Sequence, residues 1–212
     1  MVSLVFSEYS DDNLFFTSRS KNKFNNELNG EKIIFNPNND NFDDLCEKIN
    51  PNFVINCIGA IKPTITEKKE SINNAISINS FFPLKISKKS ADLSFNYIQI
   101  GTDCVFSGLE GGYIETSTTD ATDVYGKTKI VGEISSKNKT LLRSSIVGPE
   151  SGSGMSLLNW FLKTEEPEVN GFTDHEWNGV TTLNFAKIVL GITKNEQTGI
   201  KFQHLVPSDR VN

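Results

Sequence analysis

The chain has 212 residues, 37% of them hydrophobic, and carries 21 basic against 26 acidic side chains for a net charge of −5. That apolar content suffices for a sizeable core, the interspersed lysines and acids leave no basic stripe for nucleic acid, and no run of about 18 apolar residues is present to span a membrane. Cys46, Cys57 and Cys104 lack C-x-x-C spacing, His175 and His204 form no metal-ligand pattern, and residues 1–10 lack a basic n-region, so free, mostly buried thiols in a reducing cytoplasm are expected.

Short apolar runs alternate with helical stretches, which predicts an α/β fold: a doubly wound, Rossmann-like parallel sheet wrapped by helices. The spacing predicts a helix over 2–9 and then a strand over 14–19 that ends on Arg19, one of three arginines. A strand over 32–35 leads into the turn NPNNDN, which holds Asn39 and Asp40, and a helix over 42–49 follows. A strand over 53–58 takes in Cys57 and Ile58, with Gly59 next, before a helix over 71–90 that contains Asn79. The strand over 96–100 runs out into Gly101-Thr102-Asp103-Cys104. A helix over 125–136, a strand over 139–143, helices over 155–164 and 181–193 and a strand-like run over 200–206 complete the pattern. No internal repeat interrupts it, Ser-Gly-Ser-Gly at 151–154 reads as a flexible loop, and a change of character near Ser145 divides 1–145 from 146–212.

Tyr125 and Lys129 stand out within this order. Four residues apart on a helix, a phenol and an ammonium share one face, so the cation is expected to favour the phenolate and depress its pKa, making a proton donor for a carbonyl. Ligands of an open α/β sheet sit beyond the carboxyl ends of the strands, where Thr102 and Asp103 are expected to project, so that the Thr102 hydroxyl and the phenol converge on one carbonyl oxygen. The plainer alternative is an ST-turn at Thr102, a helix cap at Asp103 and a surface Tyr-Lys pair.

At these residues the chain resembles the extended short-chain dehydrogenase/reductases, and within them the dTDP-4-dehydrorhamnose reductase family. VINCIGAIKP (54–63), AISINSFFPLKIS (75–87), GTDCVFSG (101–108), VYGKTKIVGE (124–133), LLRSSIVGP (141–149) and WNGVTTLNFAKIV (177–189) follow the family's order. The resemblance implies a nucleotide-binding part over 1–145 and a partial substrate-binding region over 146–212. It implies cofactor contacts at Asn39, Asp40, Cys57, Ile58, Gly59, Asn79, Tyr125 and Lys129. Arg19 stands near where an acidic residue would meet the ribose 2′-hydroxyl of NAD and an arginine the 2′-phosphate of NADP, so NADP(H) is expected; a solvated cation beside Lys21 and Lys23 is the alternative.

The implied reaction is NADPH-dependent reduction of a keto group on a nucleotide-activated deoxysugar, in cell-surface polysaccharide precursor synthesis. Thr102, Tyr125 and Lys129 would be catalytic, and Thr102, Asp103, Cys104, Ile146 and Trp177 would face the sugar. Cys104 stands where the rhamnose-forming enzymes usually carry tyrosine, and Ile146 where they carry tryptophan, so a related nucleotide-linked deoxysugar is expected as substrate. Trp160, Phe161 and Phe172 join Trp177 as candidates for an aromatic wall, although core positions are the commoner use of such residues. No glycine precedes Gly30, so the family's first strand and glycine turn are expected upstream of Met1, and the chain is expected to be a fragment open at both ends. A homodimer is left open. The alternative function is a non-catalytic binding or regulatory protein on the same scaffold, like the regulatory subunit of methionine adenosyltransferase, or an inactive fragment.

Overall fold

A computed structural model describes residues 1–133, 136–149, 156–195 and 202–208; the Ser-Gly-Ser-Gly stretch lies outside the described residues. Helix α1 (Val2–Tyr9) leads to strand β1 (Phe15–Ser18) and, after a short turn, to β2 (Glu31–Ile34). Helix α2 (Phe42–Ile49) starts where the Asn41 side chain accepts the Asp43 N–H, has two acids in its first turn, and stops at left-handed Asn50. Strand β3 (Phe53–Asn56) follows, then α3 (Lys69–Ile76), a π turn (Ser77–Phe81), α4 (Phe82–Leu93) and β4 (Asn96–Ile100). Helix α5 (Val124–Gly132), β5 (Lys139–Arg143), β6 (Ile146–Val147), α6 (Leu157–Lys163), β7 (Val180–Thr181), α7 (Thr182–Lys194) and β8 (Phe202–His204) complete the order.

The fold class is as expected: all pairings are parallel, in the order β3-β4-β5-β8, with β1-β2 and β6-β7 as separate two-stranded ribbons. Alternation along β4 and β5 sends side chains to both faces of the large sheet. Ile98 and Leu142 pack with Val5 and Phe6 of α1 and Phe185 and Val189 of α7. Tyr97 packs oppositely, with Phe42 and Cys46 of α2 and Phe82 and Ile86 of α4. No helix among the described residues is long and apolar enough to cross a membrane.

Three local expectations change. Strand β3 ends at Asn56, so Cys57 and Ile58 belong to the turn beyond it. Cys57 and Cys104 are exposed and only Cys46 is buried, because both former residues sit on turns at strand ends rather than inside strands. The expected helix over 71–90 extends from 69 to 93, with a π turn inside it.

Candidate active site

The carboxyl ends of β3, β4 and β5 and the first turn of α5 enclose a cavity of about 370 Å³, lined by residues 56–61, 100–104 and 144–146 together with Tyr125 and Lys129. Its floor is a buried polar network. Asn56 donates to Gln99 Oε1 at 2.9 Å, Tyr97 donates to the same oxygen, and Gln99 Nε2 donates to the Ile100 carbonyl at 2.9 Å. Asn56 Oδ1 accepts the Ile58 N–H at 3.0 Å and so fixes the start of the turn after β3.

Tyr125 is held by a capped helix start. Asp123 Oδ1 accepts the Gly126 N–H at 2.8 Å, and its other oxygen accepts Lys62 Nζ at 2.7 Å, linking the cap to the loop after β3. A Cβ on Gly126 would stand 2.4 Å from the Cys104 carbonyl oxygen, so only glycine lets α5 rest on the Thr102–Val105 turn. That contact sets Tyr125 and Thr102 on the wall of the same cavity. The Thr102 hydroxyl also accepts the Cys104 N–H at 3.2 Å, so the ST-turn anticipated as an alternative coexists with the shared cavity.

The expected electrostatics of the Tyr-Lys pair are corrected. Burial pushes the Tyr125 phenol up to about 12, opposed by the nearby Thr102 hydroxyl. Lys129 is buried and donates to the Ile100 carbonyl at 3.0 Å, so its ammonium is engaged at the end of β4. Burial lowers the Lys129 pKa, and the charges of Glu133 and Cys104 oppose that shift.

Other named residues divide. Ile58, Gly59, Asp103, Cys104 and Ile146 line the cavity with Cys57. Asn79 is not free to face it: its oxygen accepts the Ala60 N–H at 2.9 Å, and its amide donates to the Ala60 carbonyl and to Thr128 Oγ1. It therefore clamps the turn after β3 to α5. Trp177 is half-buried and reaches the cavity wall indirectly, its indole N–H donating to Ser145 Oγ at 2.7 Å. Trp160, Phe161 and Phe172 are exposed and do not line the cavity. Asn39 and Asp40 lie in an exposed turn outside the lining, where Asp40 accepts the Asn36 N–H. Arg19 is exposed one residue beyond β1, and no ion pair involves it among the described residues.

Sequence reasoning passed over Ser144 and Ser145. Both line the cavity; Ser144 donates to the Leu205 carbonyl at 2.8 Å and Ser145 accepts from Trp177. The available signal was their place directly after the buried strand 139–143, equivalent to that of Thr102 after β4.

Comparison with known proteins agrees with this arrangement. The chain is 26% identical over 145 residues to the Bacillus subtilis spore coat polysaccharide biosynthesis protein SpsK, covering 66% of this chain and 50% of that protein. It is 29% identical over 89 residues to methionine adenosyltransferase 2 subunit beta of Xenopus tropicalis, covering 42% of this chain and 26% of the other. The chain thus spans half or less of the curated relatives it matches. Among solved structures, the Bacillus anthracis dTDP-4-dehydrorhamnose reductase in complex with NADP superposes with a TM-score of 0.67 at 17% identity, covering 90% of this chain and 70% of that one. The Bordetella bronchiseptica enzyme WbmG in complex with NAD superposes with a TM-score of 0.75 at 14% identity, covering 99% and 70%. These likenesses establish a Rossmann-like fold. The family model described as the RmlD substrate binding domain matches residues 34–208, and the chain belongs to that family.

Proposed function

We propose that this chain carries the catalytic residues of an NADPH-dependent reductase acting on a keto group of a nucleotide-activated deoxysugar, in the making of polysaccharide precursors. The observation that carries the reading is the meeting of Thr102, Tyr125 and Lys129 in one cavity at the carboxyl ends of parallel strands. Phenol, hydroxyl and ammonium beside the apolar Ile58, Ile61 and Ile146 suit a nicotinamide riboside set against a carbonyl substrate. A nicotinamide dinucleotide bound there supplies the hydride.

The chain's own groups do the rest. Thr102 hydrogen-bonds the substrate carbonyl, and Tyr125 gives its proton to the oxygen as negative charge develops. A phenol pushed up to about 12 is protonated at neutral pH, the form that reduction requires. Lys129 holds the cofactor ribose, and its ammonium, fixed at the Ile100 carbonyl, places positive charge beneath the reacting groups. Asp103, Cys104 and Ile146 face the sugar, with Trp177 held behind Ser145. Arg19 meets the 2′-phosphate, with Asn39 and Asp40 toward the adenine. Residues 1–145 form the nucleotide side and 146–212 the substrate side.

The likeness to methionine adenosyltransferase 2 subunit beta favours a second reading, a regulatory protein that binds the same ligands without turnover. NADPH oxidation with a panel of 4-keto sugar nucleotides separates the two. The reductase reading expects turnover and a loss of about 10²- to 10⁴-fold in Tyr125→Phe, with substrate affinity little changed. Turnover unaltered in the Phe variant removes Tyr125 from the chemistry, and binding without turnover selects the regulatory reading.

A further inference from the structure

Tyr125, Lys129 and Glu133 recur at four-residue intervals, so all three lie on one face of α5 and its terminus. Glu133 touches no cavity space, yet it is 5% exposed and ionisable, an expensive placement unless its charge is matched. The match is Arg143. Its Nε lies 3.2 Å from both Glu133 oxygens and its NH2 2.8 Å from Oε2, a bidentate pair with both side chains 6% exposed. The Arg143 guanidinium is itself packed over the rings of Phe106 and Phe202 at 5.1 and 5.2 Å, with NH1 3.3 Å from His204 Nε2.

Two further cations feel the same carboxylate. Lys129, one turn earlier, and Lys139, at the start of β5, are both buried, and for each the negative charge of Glu133 opposes the desolvation that favours the neutral amine. The titratable groups that face Lys129 are Tyr125 and Glu133 from α5, Cys104 from the turn after β4 and Lys139 from β5. Arg143 is also the last residue of β5, and residues 144–146, directly after it, form one wall of the cavity.

We propose that Glu133 is a positioning residue for the cavity: its carboxylate, clamped by Arg143, keeps Lys129 charged and directed at the Ile100 carbonyl while fastening α5 to the strand end from which the Ser144–Ile146 wall departs. Desolvation by itself favours the neutral amine. Its catalytic consequence rests on the reductase reading, but the charge relation does not.

The test follows Lys129 directly. Titration of the lysine ε-methylene resonances by ¹³C NMR, assigned with Lys129→Arg, is compared between the wild-type chain and Glu133→Gln. The expected result is a fall in the Lys129 midpoint of about one pH unit or more, a tenfold or greater loss of proton affinity. Glu133→Asp, which keeps the charge but shortens its reach to Arg143, should fall between the two. An unmoved midpoint in a folded Gln variant overturns the proposal. Should the Gln variant not fold, the Asp variant decides by the same criterion. In a turnover assay, the alkaline limb of the pH profile should move with the NMR midpoint. An NMR shift without any turnover points to failure of the reductase reading, whereas turnover with an unmoved midpoint points to failure of this inference.

Discussion

The four-stranded sheet and the β1–β2 ribbon follow the same parallel rule with opposite outcomes. All five residues of β5 are buried, as are the middle three of β4, and helices cover both faces of that sheet. In β2, Glu31, Lys32 and Ile34 are exposed, and in β1 Phe15 is 39% exposed. The residues proposed for chemistry all stand at ends of the packed sheet or on α5 resting against it. Arg19, proposed only to choose between cofactors, stands on the ribbon. Rigid placement to a fraction of an ångström matters for proton transfer far more than for a flexible cation meeting a phosphate.

The sharpest way to break this comparison is by truncating one strand residue in each region. Leu142→Ala, in β5 with no exposed surface, should cost about 2–5 kcal/mol, whereas Ile34→Ala, at 59% exposure in β2, should stay within about 0.5 kcal/mol. Urea unfolding of both variants checks it, and similar losses would show that the two regions are equally packed.

A smaller effect comes from charge. Lys139 donates to the Gly132 carbonyl at 2.7 Å, and burial lowers its pKa to about 8. Between about pH 8 and the ordinary lysine value of about 10.4, the unfolded chain holds a proton that the folded chain has lost, so this group's contribution to stability rises with pH across that window. Lys139→Met should remove that rise, amounting to about 1.4 kcal/mol for each pH unit of the window. Melting temperatures of both proteins from pH 7 to 10.5 show the difference, since buried cysteines and tyrosines are common to both. Parallel curves would refute it.

The smallest effect belongs to the ribbon. Arg19→Ser should reduce the preference for NADPH over NADH about tenfold, near 1.4 kcal/mol, without lowering turnover at saturation. Titration with each cofactor measures it; an unchanged ratio returns Arg19 to a solvated strand-end cation.

The central strands were legible from short apolar pairs, Tyr97-Ile98 and Leu141-Leu142, set between polar residues: 96–100 and 139–143 match β4 and β5 residue for residue. The helices over 2–9 and 42–49 were legible from amphipathic spacing. The two-residue strands β6 and β7 were not, since they are too short to show any period. At the cavity, spacing alone indicated that Tyr125 and Lys129 share a face, but not where the ammonium ends. That depends on the Ile100 carbonyl, a backbone atom 29 residues away whose position no side-chain pattern reports. The use of Asn79 was equally hidden, because its three partners lie on two other segments.

The π turn within the long helix constrains how this chain can change over generations. In that turn the Phe82 N–H reaches back five residues to the Ser77 carbonyl, so one residue more is present than an uninterrupted α-helix would hold. Deleting a residue there would close the π turn into ordinary α-helix and draw the residues within it out of their seats. Asn79 would leave Ala60 and Thr128, and the close seat of Gly132, where an added Cβ would lie 2.1 Å from the Asn79 carbonyl oxygen, would be lost. The loop around Gly108, Gly111 and Gly112, where an added Cβ meets nothing within 4 Å, carries no such restriction. Insertions and deletions among descendants of this sequence should therefore collect in that loop and spare residues 77–81, whatever happens to the identities of the residues between.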